Sequence, residues 1–403
     1  MNKSAKLVLG VMVGIGVIGL WYARNQQPAA NTGSNTAAST TAEQREKMTL
    51  DKPVVIGAVV PLTGDGAAYG VPIQHAGLIA LKEINDAGGI GGQPVEVIWE
   101  DGKCDPKESA IAAQKLINAD KVQIIFGGVC SSETLAIAPL AEEANVLVIS
   151  PSATSPKITD AGEFIFRTSP SDAFAGRVAA EYAYSKLGKK TAAVISETTD
   201  YAQGLREVFT QVFEALGGDV VVDETFNTRE TDFSTALVKV KATSPDVIYL
   251  VPQTPAPGIQ LIKQITAQGI TTQLLTAEVL IGRKIVAANG KHMEGLYGIE
   301  PYFNPAAGKT KAFVAAYQSQ FGDLDYPVYM ANMHGQFYLI KDGIEQVGLD
   351  TEKLRDWLTG LQGWVGTMGT LSLDANGEPL LDYSVKRVHD GQLEDVEIFS
   401  TSK

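Results

Sequence analysis

The chain has 403 residues, 45% of them hydrophobic and 20% charged, with a formal net charge of −13 and only two cysteines. That length allows two or three domains at about 150 residues each, and the apolar share supports packed cores rather than wholesale disorder. The acid excess, with no basic run or interleaved aromatic stripe, excludes a nucleic-acid partner, which needs a Lys/Arg surface.

Residues 1–24 read MNKSAKLVLGVMVGIGVIGLWYAR, with Lys3 and Lys6 ahead of an uncharged run from Leu7 to Ala23. That run lies at the short edge of the roughly 17–25 residues that span a bilayer and exceeds the roughly 7–15 of a signal-peptide core. The segment is either an uncleaved anchor, with Trp21 and Tyr22 at the outer interface and the lysines in the cytoplasm, or a cleaved signal peptide. Both place the rest of the chain on the periplasmic or extracellular face of the cytoplasmic membrane. No cysteine follows to carry a lipid. Gly14 to Gly19 form a formal G-x-G-x-x-G, but no βαβ unit and no suitably spaced acid follow, so the dinucleotide reading is rejected. Residues 25–50, rich in Asn, Gln, Thr, Ser and Ala, read as a flexible linker.

From Asp51 strands and helices alternate. Strand patterns fall at 54–60, 95–101, 122–128 and 145–150, and helical spacing at 71–89, 106–120 and 131–144. After a break near 170 the rhythm resumes, with strands at 191–196, 219–226, 246–251 and 272–278 and helices at 201–218, 232–243 and 258–269. Long helical patterns follow at 309–321 and 328–347, then strand-like stretches at 369–373 and 382–399. Such alternation predicts α/β architecture: two doubly wound parallel-sheet lobes with right-handed crossovers. The late helices are needed to cover the first sheet. The chain therefore passes between the units more than once, with 51–172 plus 303–382 as one lobe and 173–302 plus 383–403 as the other.

Ligands of open α/β sheets bind beyond the carboxyl ends of the strands. Those ends carry PLTGDGAAYG with Tyr69, VCSSET with Cys130 and Ser131, and SPSATSP with Ser152, Ala153 and Thr154. In the second lobe they carry ETTDYAQG with Tyr201, PQTPAPG with Gln253, and AEVL with Glu278. Hydroxyls at a helix N-terminus suit a carboxylate, and a lone Glu across the cleft suits an ammonium; together they match the two ends of a free α-amino acid. Each group also has a bland role. Ser131 and Ser132 can simply cap their helix, Ser152 and Thr154 can be turn residues beside Pro151 and Pro156, and Glu278 can be a solvated surface acid. Cys130 can be a nucleophile, a metal ligand or half of a clasp.

DGKCDPKESA, GGVCSSET, SPSATSP and GGIGGQPVEVIWED together resemble the leucine/isoleucine/valine-binding proteins of ABC amino-acid importers, over about residues 51–403. The resemblance implies a type I periplasmic binding fold, two α/β lobes on a three-strand hinge. It implies a disulfide between Cys104 and Cys130, a pairing that an exported chain with both cysteines in one lobe also favours. It places the ligand carboxylate on Ser131 and Thr154 with backbone groups around Ser152 and Ala153, and the ammonium on Glu278. Tyr69 and Tyr201 match pocket aromatics, and Tyr326 is a further candidate wall. The chain departs from the aliphatic amino-acid binders at Gln253, where they carry an aromatic residue; an amide there suits a polar side chain.

Three functions compete. A solute-binding component of an ABC importer would close on an amino acid, or on an amide or urea, and present the closed form to permease subunits in the membrane. A ligand-sensing ectodomain of the same fold would need a membrane partner, since the chain runs to Lys403 without a second apolar span. A hydrolase would need a nucleophile motif, yet there is no G-x-S-x-G, S-x-x-K occurs only as STSK at 400–403, and His75, His292, His334 and His389 are scattered. The expectation is a monomeric, non-enzymatic importer component without metal or cofactor.

Overall fold

The computed structural model describes residues 48–400. The expected anchor or signal segment 1–24, and most of the expected linker, lie outside the described residues. Met48 to Leu50 do not behave as linker. Met48 and Leu50 pack on the first core, and the Leu50 N–H donates to Gly91 O at 3.0 Å.

The first lobe is built from β1 (Val54–Val60), α1 (Ala67–Asp86), β2 (Val95–Asp101), α2 (Pro106–Asn118), β3 (Ile124–Gly127), α3 (Ser131–Ala144), β4 (Leu147–Ser150) and β5 (Ile165–Arg167). Its strands pair in the parallel order β2-β1-β3-β4-β5. Both faces are covered, and the two-residue period of a strand sorts the side chains. Ile124 and Phe126 point to α1, and Ile125 points to α2 and α3. The ends of these helices are set by sequence-local chemistry. Asp105 accepts from the Lys107 and Glu108 N–H groups ahead of Pro106, and Asn145 closes α3 in the left-handed region at φ 51°.

The second lobe contains α4 (Asp172–Glu181), β6 (Thr191–Glu197), α5 (Asp200–Ala215), β7 (Asp219–Phe226), α6 (Ser234–Thr243), β8 (Val247–Val251), α7 (Pro255–Ala267), β9 (Gln273–Ala277), α8 (Arg283–Met293) and β10 (Tyr297–Pro301). The chain then returns through α9 (Gly308–Phe321), α10 (Pro327–Val347), α11 (Thr351–Thr359) and a hairpin of β11 (Trp364–Gly366) and β12 (Gly369–Leu371). It ends in β13 (Tyr383–His389) and β14 (Gln392–Phe399), so the second sheet runs β14-β13-β10-β9-β8-β6-β7. Alternation again divides the core: Val247, Tyr249 and Val251 face α4 and α5, while Ile248 and Leu250 face α6 and α7. The terminal hairpin turns on Asp390 and Gly391, both at positive φ, as a two-residue type I′ turn demands.

The returning helices cover the first sheet as expected: Phe313, Met330, Met333 and Phe337 share a core with Ile56, Ile73 and Phe126. The chain thus crosses between the sheets three times, after β5, after β10 and before β13. A buried polar cluster binds the crossings together. Arg167, at the end of β5, donates to both Glu378 oxygens at 2.8 and 2.6 Å and to Ser155 O at 2.8 Å. Asn332 donates to Pro151 O at 2.7 Å and Ser169 Oγ at 2.8 Å. The Arg167 side chain is 2% exposed and that of Glu378 14%, so removing the acid strands a buried cation. Glu378→Ala is expected to cost about 3–5 kcal/mol of stability, read as a lower urea midpoint; an unchanged midpoint would show that the first and third crossings do not depend on this pair.

Candidate functional site

The turn from β3 into α3 is the most constrained stretch of the first lobe. Gly127 sits at φ +126°, and a Cβ there would stand 2.1 Å from Val59 O. A Cβ on Gly128 would meet that of Glu133 at 2.2 Å. Glu133, fully buried at the third position of α3, reaches back so that Oε2 accepts the Cys130 N–H and Oε1 the Cys104 N–H, each at 2.9 Å. Cys104 and Cys130 are bridged, with Cα atoms 5.4 Å apart, so the clasp reading of Cys130 stands and no thiol remains to attack or to bind metal. In the chain-entropy model a bridge over this separation is worth about 3–4 kcal/mol.

This turn presents Ser131 at the start of α3. Ser131 Oγ accepts the Thr154 and Ser155 N–H groups at 3.2 and 3.1 Å, which joins the β3 end to the β4 end and leaves its own O–H to donate. Ser152 Oγ donates to Val129 O at 2.8 Å, and the Ala153 N–H is held by Ser150 Oγ at 2.9 Å.

Facing this surface are the strand ends of the second lobe. Glu278 follows β9, and its Oε1 accepts from Tyr201 OH at 2.9 Å; the Tyr329 hydroxyl, from the first turn of α10, stands beside it. Burial raises the Glu278 carboxyl, against the lowering by these hydroxyls. Asp172, at the start of α4, is raised by burial first and then by the Glu278 charge, while the Thr154 hydroxyl beside it lowers it. The phenols of Tyr201 and Tyr329 are pushed well above their usual range by burial and remain neutral donors. At the β8 end, Gln253 is fixed through its backbone: its N–H donates to Glu197 Oε2 at 2.7 Å and its carbonyl accepts from Tyr69 OH at 3.2 Å.

Together these residues line one small cavity of about 30 Å³. Of the residues expected from sequence, Tyr69, Cys130, Ser131, Ser152, Tyr201, Gln253, Glu278 and Tyr326 line it. Ala153 and Thr154 do not; they lie behind Ser131, and Cys104 lies behind Cys130. Val129, Val279 and Tyr329 complete the wall. Tyr329 and Asp172 were not marked by the sequence. Tyr329 lies three positions after Tyr326, in the first turn of the helix that Tyr326 precedes, and this proximity to a marked aromatic was the available signal. An acid in a first helical turn, as at Asp172, carries none beyond the common dipole complement.

The sequence model of the family described as "Periplasmic binding protein" matches residues 53–392. This chain belongs to the periplasmic binding proteins, in their Leu/Ile/Val-binding family. A "Leucine-, isoleucine-, valine-, threonine-, and alanine-binding protein" of Pseudomonas aeruginosa is 31% identical over 340 residues, covering 83% of this chain and 90% of the relative. The crystal structure of the branched-chain amino acid transporter substrate binding protein LivJ from Streptococcus pneumoniae, in complex with isoleucine, superposes at a TM-score of 0.79 with 27% identity, over 86% of this chain and 99% of that one. A solute binding protein of an ABC transporter from Rhodopseudomonas palustris BisB5, in complex with 3,4-dihydroxybenzoic acid, gives 0.77 with 25% identity, over 86% and 97%.

Membership places this binding protein outside the cytoplasm as the substrate-binding component of an ABC transporter. No helix of the described residues is long and apolar enough to cross a membrane. Contacts join the two lobes of the binding protein around the cavity. Tyr326 OH donates to Val279 O at 3.1 Å, Lys157 pairs with Asp200 at 2.9 Å, and Asp325 accepts the Lys284 N–H at 2.7 Å.

Burial also raises Glu133, to about 7, although the Cys130, Cys104 and Val129 N–H groups lower it. Its ordinary value is 4.5. The folded chain therefore keeps a proton that the unfolded chain releases, and this contribution to stability is complete below about pH 4.5 and lost as pH rises through about 7. Urea titrations should show stability falling over that window in the unsubstituted chain and a shallower fall in Glu133→Gln; identical slopes would remove Glu133 as the source.

Proposed function

We propose that the binding protein holds a free α-amino acid between its lobes and delivers it, in the closed form, to permease subunits of an ABC importer. The observation that carries this is the opposite chemistry of the two facing walls. On one side stand a free Ser131 O–H and the N-terminus of α3, with Thr154 behind; on the other stands Glu278, buried and aimed into the same cavity. A carboxylate suits the first wall and an ammonium the second. A raised carboxyl at Glu278 fits this reading, because a cation beside it restores its ionised form. The names of the Pseudomonas relative and of LivJ support an amino acid. The dihydroxybenzoate complex marks the competitor, an anion without an ammonium.

In this reading the lobes are 51–172 plus 303–382 and 173–302 plus 383–403, joined at the three crossings. The protein acts as a monomer without turnover, held at the membrane by residues 7–23 or released from them. Ligand at about 100 times its dissociation constant stabilises a protein by about 2.7 kcal/mol. A thermal-shift series over amino acids, benzoates, urea and acetamide is expected to show this for amino acids alone. Stabilisation by benzoate or acetamide without any amino acid effect would overturn the proposal. Glu278→Gln is expected to weaken amino-acid binding by about 2–5 kcal/mol in calorimetry while the fold persists; unchanged affinity would remove Glu278 from the site.

Closure has its own test. Gly204 of α5 faces Pro156 of the first lobe, and a Cβ on it would stand 2.7 Å from Pro156 Cδ. Gly204→Leu should prop the lobes apart and lower affinity at least about tenfold, a loss of 1.4 kcal/mol or more, with a larger radius of gyration in solution scattering under saturating ligand. Equal affinity and radius would show that this contact does not limit closure.

A further inference from the structure

We infer that the ligand carries a third polar group, a hydroxyl or carboxamide on a short, neutral side chain, and that Gln253 reads it. The inference rests on the zwitterion reading above and narrows it. It follows from asking which polar groups of the cavity wall are already committed to the protein. Tyr69 OH is given to the Gln253 carbonyl, Tyr326 OH to the Val279 carbonyl, Ser152 Oγ to the Val129 carbonyl and Tyr201 OH to Glu278. Ser131 and Glu278 are taken up by the two ends of an amino acid. The Tyr329 hydroxyl stands beside Glu278, which leaves the Gln253 amide as the polar side chain of the wall without an assigned partner.

That amide is 7% exposed, and its Oε1 is sealed from solvent with no hydrogen-bond partner among the described residues. It cannot withdraw. The peptide groups on either side are fixed by Glu197 and by Tyr69, and the residue lies on the cavity wall. Rotation about its last bond offers the cavity either a carbonyl acceptor or an NH₂ donor. A buried amide without a partner is costly, and the cost is removed only by a ligand group that matches it. An aliphatic side chain provides no such group; a hydroxyl or a carboxamide does. Neutrality follows from the wall itself, where Glu278 is the one charged residue among the described residues and is committed to the ammonium. The small cavity sets the length.

Isosteric pairs make the test. Threonine and valine differ by a hydroxyl in place of a methyl, and asparagine and leucine by a carboxamide in place of an isopropyl group. Isothermal titration of the full chain with all four is expected to show at least one polar member bound about tenfold or more tighter than its aliphatic isostere. In Gln253→Met the gap should close to within about threefold, mainly because the polar member binds less well. Valine and leucine bound as tightly as threonine and asparagine would overturn the assignment to Gln253 and leave the amino-acid reading standing. No heat and no thermal shift with any amino acid would overturn the amino-acid reading and this inference with it. A polar preference that survives Gln253→Met unchanged would assign the selectivity elsewhere and overturn the role of Gln253. Should the variant fail to fold, the four titrations of the unsubstituted chain decide: a polar preference supports the inference and its absence overturns it.

Discussion

The Glu133 carboxyl accepts backbone N–H groups from both cysteines of the disulfide, and the geometry of the ligand wall descends from that one arrangement. Cys104 comes from the loop after β2 and Cys130 from the turn after β3. A single side chain thus fixes two segments far apart in sequence before the sulfur bridge adds its covalent tie. The turn it fixes is too tight for any residue but glycine at 127 and 128, and it delivers Ser131 to the first turn of α3. Ser131 in turn organises the next strand end by accepting two N–H groups from residues 154 and 155. Sheet ends that would otherwise be independent loops become one hydrogen-bonded surface.

The second lobe answers with a different kind of order. Its wall is held by phenols, and burial keeps those phenols neutral, so they can donate to Glu278 without bringing charge of their own. Two acids, Glu278 and Asp172, are buried within electrostatic reach of each other and both are raised. Among the described residues the cavity wall holds hydroxyls and the Glu278 carboxyl but no cation.

Much of this was legible in the chain. The alternation of strands and helices marked the strand ends, and the residues at those ends supplied most of the cavity wall. The elements that escaped were α4, β5, α8, β10, α11 and β11. The strands among them are only three to five residues long, and α4, DAFAGRVAAE, is alanine-rich; α8 and α11 do carry helical periodicity. Among side chains, Glu133 and Asp172 escaped because an acid in a first helical turn usually complements the helix dipole. Only burial shows that these two do something else. Glu197 escaped because it is the last residue of a strand and acts on the backbone of Gln253, whose position 56 residues later is set by the pairing of β6 with β8.

By itself the sequence determined the α/β class, the lobe that holds both cysteines, the strand-end residues and the place of the late helices on the first sheet. These follow from local periodicity and from the need to cover each apolar face. Only the tertiary structure decided that Thr154 stands behind Ser131 rather than on the cavity, that Tyr329 joins the wall, and that Gln253 Oε1 is buried without a hydrogen-bond partner among the described residues. Those facts depend on which hydroxyls find partners across the cleft. Partner choice between segments far apart in sequence is a property of three-dimensional packing that no local pattern encodes.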